Sequence, residues 1–136
     1  MLTSASLLAA PDKDVIIKES ELPAKAREFI KAHFKNAAVN HAKRDSDSYD
    51  VYLSNGFKVE FKRNGEWKEV NGEQAAVPQS VLNLLPGTLT TYLKNTYSSE
   101  TVTKVKVERR GYELELYPSD VELTFSKKGE LVDVDY

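Results

Sequence analysis

Tyr49-Asp-Val-Tyr-Leu-Ser-Asn-Gly-Phe-Lys-Val-Glu-Phe-Lys-Arg-Asn-Gly-Glu-Trp-Lys-Glu-Val70 is the stretch from which the fold is read. Tyr49, Val51 and Leu53 alternate with Asp50 and Tyr52, the period-two pattern of a strand with one buried face. Asn55-Gly56 tolerates the positive φ of a tight hairpin turn. Alternation resumes with Phe57, Val59 and Phe61 against Lys58, Glu60 and Lys62. Asn64-Gly65 repeats the turn chemistry, and Glu66 to Val70 supplies a third strand. The stretch predicts an antiparallel β-meander.

Upstream, Leu22-Pro23 opens a helix, because proline in a first helical turn gives up no hydrogen bond. Ala26, Phe29, Ile30, His33 and Phe34 then recur at helical spacing and form one apolar face. Ala37 to Arg44 reads as a strand, and Asp45 to Ser48 as a polar loop into the meander. The short knot Val15-Ile16-Ile17 is a linker or an edge strand. Downstream, Val77-Pro78 echoes Leu22-Pro23. Val81, Leu84 and Leu85 make one helical face, and Leu89, Tyr92, Leu93 and Tyr97 another. Pro86-Gly87 breaks the helix between them, predicting helices over roughly 78–84 and from 86 or 88 to 97. Strands follow at 101–108, 112–117, 121–125 and 130–136. The turns between them are Arg109-Arg110-Gly111, Pro118-Ser119-Asp120 and Lys127-Lys128-Gly129.

These two passes read as one unit used twice. Phe29-Ile30-Lys31 aligns with Tyr92-Leu93-Lys94, and Tyr49, Val51 and Leu53 with Tyr112, Leu114 and Leu116, all at an offset of 63 residues. Past the first hairpin the offset is 64, so that Phe61 meets Phe125, Gly65-Glu66 meets Gly129-Glu130, and Val70 meets Val134. The extra residue falls in the turn, where Tyr117-Pro118-Ser119-Asp120 replaces Ser54-Asn55-Gly56. Insertion confined to a turn, with both core phases intact, is the mark of a duplicated unit. The expected fold is α+β, with two tandem helix-plus-four-strand units forming a curved antiparallel sheet and helices on one face. Residues 22–71 make the first unit and 72–136 the second, in one compact body.

A chain of 136 residues without cysteine builds its core without disulfides or thiolate metal sites. The net charge of −2 argues against non-specific nucleic-acid binding. Residues 22–71 hold 10 basic and 7 acidic side chains, and residues 72–136 hold 7 and 10, so the halves are oppositely charged. No apolar run reaches the roughly 18 residues that span a bilayer, so an integral membrane protein is not expected. Leu7-Leu8-Ala9-Ala10 ahead of Asp12-Lys13-Asp14 reads as the remnant of an export signal, an apolar first turn being the other reading. Residues 1–21 are assigned to that truncated remnant and a linker.

The doubled order resembles the PepSY-like periplasmic proteins of Bacteroides-type bacteria. The resemblance rests on Leu22-Pro23, the Tyr49–Leu53 strand, Gly56, Phe61 with Gly65-Glu66-Trp67, Val77-Pro78 and Leu85-Pro86. Tyr92, Gly111-Tyr112-Glu113-Leu114 and Phe125 with Gly129 complete it, over residues 22–136. It implies tandem units of the β-lactamase-inhibitory-protein kind, a periplasmic or extracellular location, and a physiological role that is mostly unassigned. Inhibition of a secreted hydrolase, of the peptidase or β-lactamase class, is what the relatives' names suggest. No inhibitory residue carries over by position.

Catalytic chemistry is thin in the sequence, and no catalytic, cofactor-binding or metal-ligating residue is assigned. His33 and His41 lie on different elements, and their spacing is not a metal motif. Asp45-Ser-Asp47-Ser-Tyr-Asp50 lacks the central glycine and distal glutamate of a calcium loop. The remaining candidate is a surface for a protein or peptide partner. Tyr52, Lys58, Glu60 and Lys62 in the first half are expected on the face away from the helices. Glu113, Glu115, Tyr117 and Glu122 are expected there in the second. Trp67 joins them if its strand keeps the phase of Val70, and turns to the core if a bulge follows the turn. The expectation is an exported, non-enzymatic binding protein. A hydrolase inhibitor or regulator, or an enzyme with an unrecognised site, are the alternatives.

Overall fold

The computed structural model describes residues 14–136; the export-signal reading of the first residues lies outside them. Nine strands form one antiparallel sheet in strict sequence order. They are β1 (Val15–Ile17), β2 (Val39–Arg44), β3 (Ser48–Leu53), β4 (Lys58–Lys62), β5 (Trp67–Asn71), β6 (Thr101–Glu108), β7 (Gly111–Tyr117), β8 (Glu122–Ser126) and β9 (Leu131–Asp135). The helices are α1 (Ala24–His33), α2 (Gln79–Leu82) and α3 (Gly87–Thr96). The sheet is open: β1 and β9 are its ends. Val15-Ile16-Ile17 is therefore an edge strand, and Ile17 is buried against Ala42.

Strand alternation builds the core directly. Reading the pairing across the sheet, Ile17, Ala42, Val51, Val59, Val70, Val105, Leu114, Leu123 and Val134 form one continuous aliphatic row. Val51, Val59, Val70, Val105, Leu114 and Leu123 in this row are fully buried. Beside it lie two rows that include aromatic rings: Tyr49–Phe61–Trp67 and Tyr112–Phe125–Leu131. Phe29 of α1 meets Phe61 edge-on at 5.6 Å, and Tyr92 of α3 meets Phe125 the same way at 5.8 Å. Each long helix is thus seated on a phenylalanine by the geometry aromatic quadrupoles favour.

Register breaks recur at matching places. Bulges separate Val39 from His41 and Val102 from Lys104, and Glu60/Phe61 and Thr124/Phe125 face the other two. The helix starts also correspond. Pro86 both ends one helix and caps the next: it is the N-cap of α3, with φ −56° and ψ 142°, as Pro23 is of α1 with φ −56° and ψ 149°. Val77-Pro78 echoes them, Pro78 capping α2 with φ −55° and ψ 141°, while Leu85-Pro86 stands 63 residues from Leu22-Pro23. Leu22 and Leu85 are both buried just ahead of their caps.

Candidate binding face

With the helices on one side, the opposite side chains of the strands define an open face. Pairing orders them into two rows. One runs Ile16, Lys43, Asp50, Glu60, Glu69, Lys106, Glu113, Thr124, Asp133. The other runs His41, Tyr52, Lys58, Asn71, Lys104, Glu115, Glu122, Asp135. Tyr52, Lys58, Glu60, Glu113, Glu115 and Glu122 are therefore brought to one surface.

Tyr52 is the centre of the first half. His41 stacks on its ring with centroids 4.4 Å apart, and the ammonium groups of Lys43 and Lys58 lie 5.6 and 5.7 Å from the ring centre. Two cations on one π-system make an aromatic patch rimmed by lysines, with Asp50 and Glu60 beside them on the same face. Burial alone would lower the Lys58 pKa, but Asp50, Tyr52, Glu60 and Glu69 together outweigh it and the net direction is upward. Lys58 therefore stays charged.

In the second half carboxylates crowd together. Burial raises the Glu122 pKa, and the charges of Glu113, Glu115 and Asp135 push it further, against Lys104. Lys104 bonds Glu115 at 3.4 Å. Tyr117, 44% exposed, lies at the end of this half in a cleft of about 520 Å³ shared with Glu73, Glu115 and Asp120.

Two of the expected surface residues are placed elsewhere. Trp67 packs on the helical side, its ring stacked on Phe29 at 5.5 Å. The cause is the bulge at Lys68, which restores Trp67 to the side of Phe61 while Val70 keeps to the core. Lys62 ends its strand, and its ammonium lies 3.8 Å from Glu66, which also pairs with Lys25 of α1 at 3.9 Å. Both residues line a groove of about 540 Å³ with Phe29, His33, Leu84 and Tyr112.

The fold also joins a pair that sequence spacing gives no means of finding. His33 Nδ1 is 2.7 Å from Ser80 Oγ across 47 residues, tying α1 to α2. Burial lowers the His33 pKa from its ordinary 6.5, so the folded state prefers the neutral ring. Stability from this group is complete above pH 6.5 and declines as pH falls below it, levelling once the folded ring also takes a proton. His33→Gln is expected to flatten that acid limb, read from urea midpoints on either side of pH 6.5. An unchanged limb would place the proton uptake elsewhere.

Among the described residues, no group of three or more His, Cys, Asp or Glu side chains converges to hold a metal ion. No helix among them is long and apolar enough to cross a membrane.

An open antiparallel sheet with one helical and one charged, uncovered face defines an α+β protein of the kind that offers a broad surface rather than a deep cleft. The chain belongs to the family described as "Putative beta-lactamase-inhibitor-like, PepSY-like", which matches residues 47–133. A solved periplasmic protein of unknown function from Bacteroides vulgatus is 32% identical, with 91% of this chain and 100% of that one covered and a TM-score of 0.83. A Bacteroides thetaiotaomicron structure, described as a "putative calcium-regulated periplasmic protein", is 35% identical over 90% and 97% of the two chains, with a TM-score of 0.83. A DUF2874-family periplasmic protein from Bacteroides vulgatus is 34% identical over 92% and 98%, with a TM-score of 0.84. No curated protein matches the chain. The descriptions of all three relatives carry the words "putative" and "periplasmic protein", the compartment expected for this chain.

Proposed function

We propose that the protein is a non-enzymatic, exported binding protein that engages a protein partner through its open sheet face. One observation carries this reading: the face holds an aromatic patch at Tyr52 with two lysines on its ring, and a carboxylate cluster around Glu115 and Glu122. Tyr52 and Glu115 lie four strands apart, about 19 Å at the usual strand spacing, and Glu122 lies one strand further. A small molecule does not reach both, whereas a protein surface of complementary charge does. Tyr52 supplies the aromatic anchor and the carboxylates supply orientation.

The same reading treats residues 22–71 and 72–136 as tandem copies of one unit. The paired bulges, the proline caps at Pro23 and Pro86 and the two phenylalanine seats support it. Inhibition or regulation of a secreted hydrolase is a narrower form of the proposal, drawn from the family's description. Calcium, named for one relative, has no part in it. An enzymatic reading would start from Ser80 and His33, but no carboxylate hydrogen-bonds the His33 ring among the described residues.

Envelope extract captured on immobilised protein tests the proposal. Tyr52→Ala with Lys58→Glu, and separately Glu115→Lys with Glu122→Lys, are expected to weaken capture of the partner about tenfold, the effect of losing roughly 1.4 kcal/mol. Lys25→Glu, on the helical side, is expected to leave it unchanged. Retention of the wild-type partners by both face variants would sink the reading.

A further inference from the structure

The sheet ends on a strand built like an interior one. Across from Phe125, β9 bulges as β5 does across from Phe61; Val134 takes the core place of Val70. Asp133 and Asp135 take the outward places of Glu69 and Asn71. Strand β5 is paired on both sides. Its second neighbour, β6, sets Lys106 opposite Glu69, Val105 opposite Val70 and Lys104 opposite Asn71. Strand β9, among the described residues, has a neighbour on one side only.

We propose that the free edge of β9 binds an extended polypeptide segment of basic–apolar–basic pattern, which adds to the sheet as a further antiparallel strand. The β5–β6 junction inside the molecule is the template: an apolar residue continues the aliphatic row, and flanking lysines meet outward side chains. At β9 those side chains are both carboxylates, and Glu122 and Thr124 lie directly behind them. Burial and then the charges of Glu113, Glu115 and Asp135 raise the Glu122 pKa, and an incoming cation relieves the crowding of those charges.

The edge also exposes more apolar surface than a guarded end strand needs. Leu131 is 39%, Val132 65% and Tyr136 91% exposed. Acidic side chains on an edge protect against self-association, and here they do more than protect. If two β9 strands paired antiparallel, outward residues would face outward residues and Asp133 and Asp135 would meet carboxylates. Like charges directly opposite are destabilising. The arrangement that repels a second copy is therefore the one that selects a cationic strand. Backbone groups supply affinity in this mode and alternate side chains supply specificity. The site lies on the sheet's edge and does not depend on the Tyr52 patch.

The chain itself provides the probe. A synthetic peptide Thr-Val-Thr-Lys-Val-Lys-Val-Glu, the sequence of β6, is titrated into the full chain while amide hydrogen exchange is followed. Binding is expected to slow exchange at residues 131–135. Asp133→Lys with Asp135→Lys is expected to weaken it about tenfold. A peptide with glutamate for both lysines, and one N-methylated on the backbone edge that meets β9, are expected not to bind. Equal binding by the N-methylated peptide would reduce the site to charge adhesion and overturn the proposal. Absence of binding by the parent peptide, or of protection at 131–135, would overturn it as well.

Discussion

Phe61→Ala is expected to lower the unfolding free energy by about 3–5 kcal/mol, and Phe125→Ala by a similar amount. Phe61 is 0% and Phe125 1% exposed, and each ring is the seat of one long helix. Truncation removes the transfer energy of a buried ring. It also opens a cavity that the flanking strands, locked in register on both sides, cannot close. A domain of this size has roughly 5–15 kcal/mol in total, so either variant approaches the limit of folding. Four strand spacings separate the two residues, about 19 Å, so their effects are expected to add within about 0.5 kcal/mol. Urea unfolding of the single and double variants measures both quantities. A cost below about 1 kcal/mol at either site would mean that the helix does not rest on that ring.

The aliphatic row was legible in the sequence because strand alternation has a period of two and nothing interrupts it at Val51, Val59, Val105 or Leu114. The hairpin turns were legible from Asn55-Gly56 and Asn64-Gly65, whose glycines adopt φ of 91° and 94°. Trp67 was not decided, because one inserted residue reverses parity and no residue type announces a bulge; Lys68 occupies that place in β5 and Val132 in β9. Lys62 was misplaced for a related reason. A strand's last side chain is free to turn around its end, and Glu66, which also pairs with Lys25 of α1, draws it to the helical side. Pro86-Gly87 was legible as the boundary between two helices, because proline is excluded from a helix interior and suited to a helix start. The Ser80–His33 contact depends on how two helices dock, which local pattern does not encode. The open face was legible as a polar surface. Its division into two patches emerged only when register set Lys43 and Lys58 around Tyr52, and Glu113, Glu115 and Asp135 around Glu122.

Gly129→Ala is expected to cost about 2–4 kcal/mol, against about 1–2 for Gly56→Ala. Both glycines sit at positive φ, 89° and 91°, so both substitutions force an L-residue into the left-handed region. Only one of them also meets a neighbour. A Cβ at Gly129 would lie 2.8 Å from Pro86 Cβ and 2.9 Å from the Leu89 backbone nitrogen, whereas at Gly56 nothing lies within 4 Å. The difference between the two costs therefore isolates how tightly the last hairpin turn packs under the first turn of α3. Gly65 makes the equivalent approach to α1, 2.9 Å from Pro23 Cβ and 3.0 Å from Lys25 Cβ. Gly65→Ala is accordingly expected to fall nearer Gly129→Ala than Gly56→Ala. Chemical denaturation of the three variants decides it. Equal costs at all three sites would mean the turns bear only backbone strain, and that the helix starts are held by their phenylalanine seats alone.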